Sequence, residues 1–163
     1  MEFLVMILDR LGRELQVFIL SMVPVIELRG AIPLGAAYGL NWVENYLLAV
    51  AGNMLPVPFI ILFIRHIFAW MKKKNILTGL VEWFETRAMQ KSDIVMKYSA
   101  FGLMLFVAVP LPGTGAWTGA LIAALLDMRL RYALLSVGVG VLIAGFIVSG
   151  VAYGFLGIFD WIL

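Results

Sequence analysis

The sequence predicts an all-α integral membrane protein. Hydrophobic residues make up 63% of the 163 residues and charged residues only 13%, whereas about a quarter of an average globular protein is charged. The mean hydropathy is +1.02, and a soluble chain of this length could not bury so much apolar surface. Long apolar segments alternate with short polar turns, and prolines and glycines interrupt two of these segments near their middle. These observations predict membrane helices, some of them broken.

The composition argues against several kinds of chemistry. The chain has no cysteine, which excludes disulfides and thiolate ligands or nucleophiles. Its single histidine, His66, follows Arg65 at the end of an apolar span and is interpreted as an interfacial residue. We therefore predict no metal site, no cofactor and no enzymatic activity. Basic residues cluster at the span ends, so the net charge of +2 indicates membrane orientation rather than nucleic-acid binding.

The first two elements are an interfacial helix and a broken apolar segment. Residues 2–16 have apolar side chains at helical spacing and predict an amphipathic helix lying in the membrane interface. Residues 17–40 are apolar except near their middle, and each half would form only about 15 Å of helix. Because the hydrocarbon core is about 30 Å thick, we predict a re-entrant hairpin with a turn at 27–30 and Pro33 in the first turn of the returning arm. One kinked spanning helix is the alternative.

A first spanning segment and a linker follow. Residues 46–64 are long enough to cross the membrane, after the polar turn 41–45. This segment is interrupted by Gly52-Asn53 and by Pro56-Val57-Pro58. Proline in a membrane helix frees a backbone carbonyl group, which can bind a ligand. The alternative is that these prolines only kink the helix for packing. Residues 75–97 are the main polar stretch and predict an amphipathic interfacial helix.

The second half has the same parts in the same order. Residues 99–126 form an apolar segment broken at Pro110–Gly115, with a returning arm expected at 116–126 and free backbone N–H groups at its start. A polar turn at 127–131 and a final span at 132–156 complete the chain.

The two halves align at an offset of 86 residues, which places Val23-Pro24 on Val109-Pro110, Tyr46 on Tyr132 and Gly52 on Gly138. A hairpin plus one crossing in each half would insert the second copy upside down, giving an inverted repeat. We predict a single membrane domain over 1–163, with repeat 1 at about 15–70, a linker at 71–97 and repeat 2 at about 98–156.

The distribution of lysine and arginine predicts the orientation. In the hairpin topology nine basic residues lie on the side of 65–97 and 127–131, against two on the other side. A topology of four plain spans gives the same count, so the preference of basic residues for the cytoplasmic side does not distinguish the two topologies. Either way it predicts an inner (plasma) membrane protein with residues 65–97 in the cytoplasm.

Three motifs resemble those of the small multidrug export protein family over roughly residues 15–150. They are Pro24-x-x-Glu27-Leu28-Arg29-Gly30-Ala31-Ile32-Pro33, Gly52-Asn53-x-x-Pro56-x-Pro58 and Pro110-Leu111-Pro112-Gly113-Thr114-Gly115-Ala116-Trp117. The plan of two re-entrant hairpins more distantly resembles the DedA superfamily, which implies translocation of polyprenyl-phosphate lipid carriers. The second broken segment differs from that pattern, since it has no arginine or carboxylate between Tyr98 and Leu126.

Ionisable residues inside a bilayer cost about 2.5–3.5 kcal/mol each on insertion scales, so they persist mainly where they serve a function. We therefore predict a transporter of an amphiphilic or anionic, lipid-like substrate, with a site between the two hairpins and with protonation of Glu27 as the coupling step. The predicted site residues are Glu27, Arg29, Gly30, Asn53, Pro110, Pro112, Gly113, Thr114 and Trp117.

Several alternatives remain open at this point. Glu27 and Arg29 could pair only with each other, and Asn53, Thr114 and Trp117 could have packing or turn roles. A DedA-like lipid-carrier translocase, a membrane enzyme and a scaffold are the rival functions. The expected partners are membrane lipids and the substrate, together with a second copy of the chain, for which Gly150-x-x-x-Gly154 and Gly115-x-x-x-Gly119 permit close helix packing.

Overall fold

A computed structural model describes residues 12–90, 93–111 and 113–162, with the side chains at 65, 84, 87–90, 93–99 and 155–162 left outside the description. All regular elements in these residues are helices, which confirms the all-α prediction. The helices are α1 (Arg13–Met22), α2 (Glu27–Ala37), α3 (Trp42–Met54), α4 (Val57–Lys73), α5 (Thr78–Gln90), α6 (Asp93–Ala108), α7 (Ala116–Leu125) and α8 (Leu130–Ile162). The predicted interfacial helix at 2–16 falls mostly on residues 1–11, outside the described part.

Two stretches of the described chain are long and apolar enough to cross a membrane. They are Trp42–Ile64, with 23 residues, and Leu130–Gly154, with 25 residues. The first includes the break at Leu55 and Pro56 between α3 and α4, where the sequence predicted an interruption. The second lies within the continuous helix α8.

The described residues belong to two compact units. Unit 1 lies within Met1–Met54 and Ile143–Leu163, and unit 2 is Leu55–Leu142. The boundary therefore divides both candidate spans. Each unit contains the first half of one span and the second half of the other.

Unit 1 begins with two short helices that pack against each other, α1 and α2, here called helix pair 1 (residues 13–37). Arg13 at the start of α1 donates a hydrogen bond from Nη1 to the carbonyl oxygen of Tyr38, just after α2, at 2.9 Å. Its guanidinium carbon also lies 6.0 Å from the centroid of the Tyr38 ring. The outer ends of the two helices therefore lie together, so α2 returns to the level at which α1 starts.

The turn of helix pair 1 lies four residues earlier than predicted. Val23 is extended, with φ −76° and ψ 128°, because a residue before proline is disfavoured in the helical region. Helix α1 therefore ends at Met22, the turn occupies 23–26, and α2 already begins at Glu27. The predicted turn at 27–30 is wrong for this reason. Pro33 is an interior residue of α2 rather than part of its first turn.

Helix α3 is anchored to helix pair 1 by a close contact. Asn41 accepts a hydrogen bond at Oδ1 from the Val43 N–H at 3.0 Å, which caps the start of α3. Near its other end, Gly52 lies against the Phe18 carbonyl and the Ser21 hydroxyl of α1, and a Cβ at this position would overlap both. The glycine therefore lets the backbones of α1 and α3 approach each other.

Unit 2 contains α4 to α7 and the first half of α8. Helices α6 and α7 pack together as helix pair 2 (residues 93–125), and α7 covers most of the segment 116–126, where a returning arm is predicted. The single amphipathic helix predicted at 75–97 is wrong in its bounds. Helix α5 covers only Thr78–Gln90, and the helix leading into the apolar segment already starts at Asp93.

Gly140 has the role in unit 2 that Gly52 has in unit 1. A Cβ at Gly140 would lie 2.8 Å from the Met104 carbonyl oxygen and 2.7 Å from the Cβ of Val107, both on α6. Met104 and Val107 follow Phe18 and Ser21 by 86 residues, whereas Gly140 follows Gly52 by 88. The loop 109–115 is three residues longer than the turn 23–26, and α7 is one residue shorter than α2, which together change the offset by two. Gly52 and Gly140 therefore have similar packing contacts, each with the backbone and a side chain of a preceding helix.

Candidate functional site

The predicted site residues divide between the two units. Unit 1 contains Glu27, Arg29, Gly30 and Asn53. Unit 2 contains Pro110, Gly113, Thr114 and Trp117. Pro112 lies outside the described residues. Each group is therefore considered within its own unit.

Glu27 is buried at the start of α2, with only 4% of its surface exposed. Its φ is +49°, a value uncommon for residues other than glycine and costly in backbone strain. Its N–H donates to the Val23 carbonyl at 2.9 Å, which closes the turn. The fold thus holds a carboxyl group in a buried position through a strained backbone.

Arg29 is the charged residue associated with Glu27. It is half-buried two residues further along α2, and the negative charge of Glu27 acts on it electrostatically. Because a guanidinium is always charged, this pair keeps a positive group near a buried carboxyl group whatever the protonation of Glu27.

Gly30 lies inside α2 rather than at its start. Its N–H donates to the Ile26 carbonyl at 3.0 Å, as an interior helical residue does. The helix that follows the turn therefore starts before Gly30, because α2 already begins at Glu27.

Asn53 is a buried amide without hydrogen-bond partners. Its exposed fraction is 0%, and neither Oδ1 nor Nδ2 has a partner. A buried polar group left in this state costs about 1–3 kcal/mol. Helix α3 ends one residue later, at Met54.

The register of α3 against α2 brings Asn53 to the level of Glu27. Asn45 donates from Nδ2 to the Ile32 carbonyl at 2.8 Å, and Gly35 lies directly against the same amide. Helix α3 runs antiparallel to α2, since Gly35 faces Asn45 near one end while Gly52 faces α1 near the other. Eight residues separate Asn45 from Asn53 and Gly35 from Glu27, a rise of about 12 Å along each helix.

In unit 2 the predicted residues form the loop of helix pair 2. The Thr114 hydroxyl lies 2.8 Å from the Val109 carbonyl oxygen and 2.9 Å from that of Leu111. Gly113 has φ +75° and Gly115 φ +135°, conformations that favour glycine. Pro110 is exposed beside them, and Trp117 lies partly buried in the first turn of α7. The hydroxyl of Thr114 thus braces the loop.

A buried network in unit 1 was missed by sequence reasoning, which placed Asn45 in a polar turn. Asn45 is fully buried inside α3 and donates to the Tyr153 hydroxyl at 2.9 Å. Tyr153 in turn donates to the Leu40 carbonyl at 2.9 Å. Asn45 shares one buried helix face with Ala49, Gly52 and Asn53. That spacing of small and amide residues was the signal available in the sequence.

Each unit also has a cavity of its own. The cavity of unit 2 has a volume of about 640 Å³, within the range of small-molecule sites. It is lined by Ile61, Leu62, His66, Ala69, Ala124, Asp127, Met128 and Leu130. The cavity of unit 1 has a volume of about 160 Å³ and is lined by Trp42, Phe146, Ser149, Gly150, Tyr153 and Gly154.

The apolar spans and the interrupted helices define a helical membrane protein. A family model described as "Putative small multi-drug export protein" matches residues 27–147. This is more than half of the chain, so the chain belongs to that family, and the resemblance found in the three motifs is confirmed. An exporter family is not a class of enzyme. No curated protein and no solved structure matches the chain. The likeness to the DedA superfamily stays a prediction.

Proposed function

We propose that this protein is a membrane transporter that moves an amphiphilic or anionic, lipid-like substrate and is coupled to protons through Glu27. The main supporting observation is the buried position of Glu27 at the start of a short helix within helix pair 1. A carboxyl group in such surroundings is costly and is retained mainly for function. We place the protein in the inner (plasma) membrane, with residues 65–97 on the cytoplasmic side.

The lengths of the first helices support a re-entrant hairpin. Helices α1 and α2 have 10 and 11 residues, or about 15–17 Å each, half of the hydrocarbon core. The contact between Arg13 and Tyr38 joins their outer ends. A single kinked spanning helix would separate these residues by the thickness of the membrane.

The cavity of unit 2 supports the same topology for helix pair 2. It is lined both by His66 and Ala69, late in α4, and by Asp127 and Met128, just after α7. In the hairpin topology these two regions lie on one side of the membrane. Four plain spans would put them on opposite sides, so the shared cavity favours the hairpin.

Three structural similarities between the two halves support an inverted repeat, and none of them depends on identical residues. Gly52 and Gly140 have the same kind of helix contact. Gly39 and Asp127 both follow a helix end with positive φ, and the next N–H in each case bonds the carbonyl five residues back, at 3.1 Å for Leu40 and 3.0 Å for Met128. Four cavity-lining pairs also differ by 88 residues, namely Trp42 and Leu130, Ser149 and Ile61, Gly150 and Leu62, and Gly154 and His66.

An inverted repeat with interrupted helices is a recurring plan of alternating-access transporters. In the proposed cycle the two repeats exchange conformations, and the protonation of Glu27 favours one state over the other. Arg29 supplies a fixed positive charge for an anionic head group.

Transport into proteoliposomes tests the proposal. The probes are a fluorescently labelled polyprenyl phosphate and a lipophilic fluorescent dye, with and without a pH gradient. Wild-type protein is expected to move at least one probe faster than empty liposomes, and a pH gradient is expected to accelerate it. Glu27→Gln is expected to abolish the acceleration, while Glu44→Gln on the exposed start of α3 is the matched control. Unchanged acceleration in Glu27→Gln would refute proton coupling through this residue.

A further inference from the structure

We infer that unit 1 contains a binding site for an alkali metal cation at the C-terminal end of α3, with Oδ1 of Asn53 and the carbonyl oxygen of Gly52 as ligands. This inference concerns binding and does not depend on the proposed transport. It also differs from the proposed proton coupling, which uses Glu27.

The buried amide of Asn53 requires a partner that the protein itself does not supply. Its side chain is fully buried, and neither of its polar atoms has a partner. Native proteins satisfy nearly all such groups with protein, water or ions. Since the protein supplies no partner, an ion or a water molecule is expected beside Asn53.

The surroundings of Asn53 favour a positive charge. An α-helix has a partial negative charge at its C-terminus, and α3 has no basic residue in its last turn to compensate it. Pro56 has no N–H to donate to the Gly52 carbonyl, and Pro58 has none for the Met54 carbonyl. Broken membrane helices that end in this way present carbonyl oxygens to cations.

Ser21 and Glu27 add further oxygen atoms at this end of unit 1. The Ser21 hydroxyl lies against Gly52 and donates its proton to the Phe18 carbonyl at 2.7 Å, which leaves lone pairs on its oxygen. The buried carboxyl group of Glu27 lies at the level of Asn53 along the paired helices. A cation bound by Oδ1 of Asn53 would keep Nδ2 available to donate to a coordinating water molecule.

The ligand types indicate a monovalent rather than a divalent ion. Within the searched part of the chain, which excludes the undescribed residues, no group of three or more histidine, cysteine, aspartate or glutamate residues could hold a metal. Protein Ca²⁺ and Mg²⁺ sites depend on carboxylate ligands. Neutral amide and carbonyl oxygens instead replace the hydration shell of alkali ions.

The test compares melting temperatures of the purified full chain in detergent at equal ionic strength in NaCl, KCl and choline chloride. A cation bound only by the folded protein stabilises it by mass action. We expect a melting temperature about 2–5 °C higher in NaCl or KCl than in choline chloride. Equal melting temperatures in all three salts would overturn the inference, because an ordered water molecule would satisfy Asn53 irrespective of the salt.

Three variants sharpen the comparison. Asn53→Leu removes the ligand and is expected to abolish the salt difference, whereas Asn53→Asp keeps an oxygen and is expected to retain it. Ser149→Ala is the matched control, since it removes a different buried polar group of unit 1 that has no partner, the Ser149 hydroxyl. A full salt difference in Asn53→Leu would contradict the site. If that variant does not fold, equilibrium binding of radioactive sodium to the wild type and to Ser149→Ala decides, and the lack of saturable binding overturns the inference.

Discussion

The side-chain amide of Asn45 donates to the carbonyl oxygen of Ile32 across 2.8 Å, from the interior of α3 to the interior of α2. This bond fixes how far the two helices slide along each other. Because α2 and α3 are antiparallel, the same register sets Glu27 level with Asn53. Two polar residues that are 26 positions apart in sequence thus come to one end of unit 1.

Gly35→Ala is expected to destabilise the protein. A Cβ at this position would overlap the amide of Asn45, and the two helices would have to separate. Overpacking of this kind costs about 1–3 kcal/mol. The measurement is the melting temperature in detergent. Gly79→Ala on α5 is the control, since a Cβ there meets nothing within 4 Å, and its melting temperature should be unchanged or slightly higher.

Tyr153→Phe should cost about 1 kcal/mol, because it removes hydrogen bonds to Leu40 and Asn45 without changing the ring. Asn45→Leu should cost more, since it also removes the bond to Ile32. The double variant should be less destabilised than the sum of the single variants, because both belong to one network. Denaturation of the four proteins measures this coupling. Additive effects would show that the network is not cooperative.

Thr114→Val and Thr114→Ser separate a loop role from a substrate role. The hydroxyl of Thr114 lies within hydrogen-bond distance of two carbonyl groups in its own loop. Thr114→Val is therefore expected to cost about 1 kcal/mol of stability, and Thr114→Ser to cost much less. If Thr114→Val instead keeps its melting temperature but loses transport, the residue contacts substrate.

The sequence predicted the breaks in both apolar segments, since a residue before proline is disfavoured in the helical region and both segments contain a Val-Pro pair. It placed the first turn wrongly because the effect of Pro24 on Val23 was given less weight than the polar pair Glu27 and Arg29. The burial of Asn45 could not be foreseen from its neighbours Asn41 and Glu44, which suggested a solvated turn. Its burial depends on a contact with Gly35 that only the folded chain reveals.

The proposed repeat illustrates a second limit of sequence comparison. Alignment by identity at one offset matched Gly52 to Gly138, because a single offset ignores loops of different length. The contacts of Gly52 and Gly140 with the preceding helix identify the corresponding residues instead.

The re-entrant topology is tested most directly by the side of the membrane on which Trp42 and Arg129 lie. The chain has no cysteine, so Trp42→Cys and Arg129→Cys each introduce a unique label site. The measurement is the reaction of each thiol with a membrane-impermeant maleimide in cells and in inverted vesicles. Re-entrant helix pairs predict that the two cysteines react from opposite sides of the membrane. Reaction of both from the same side would mean that the segments span the bilayer, and would contradict the proposed pathway.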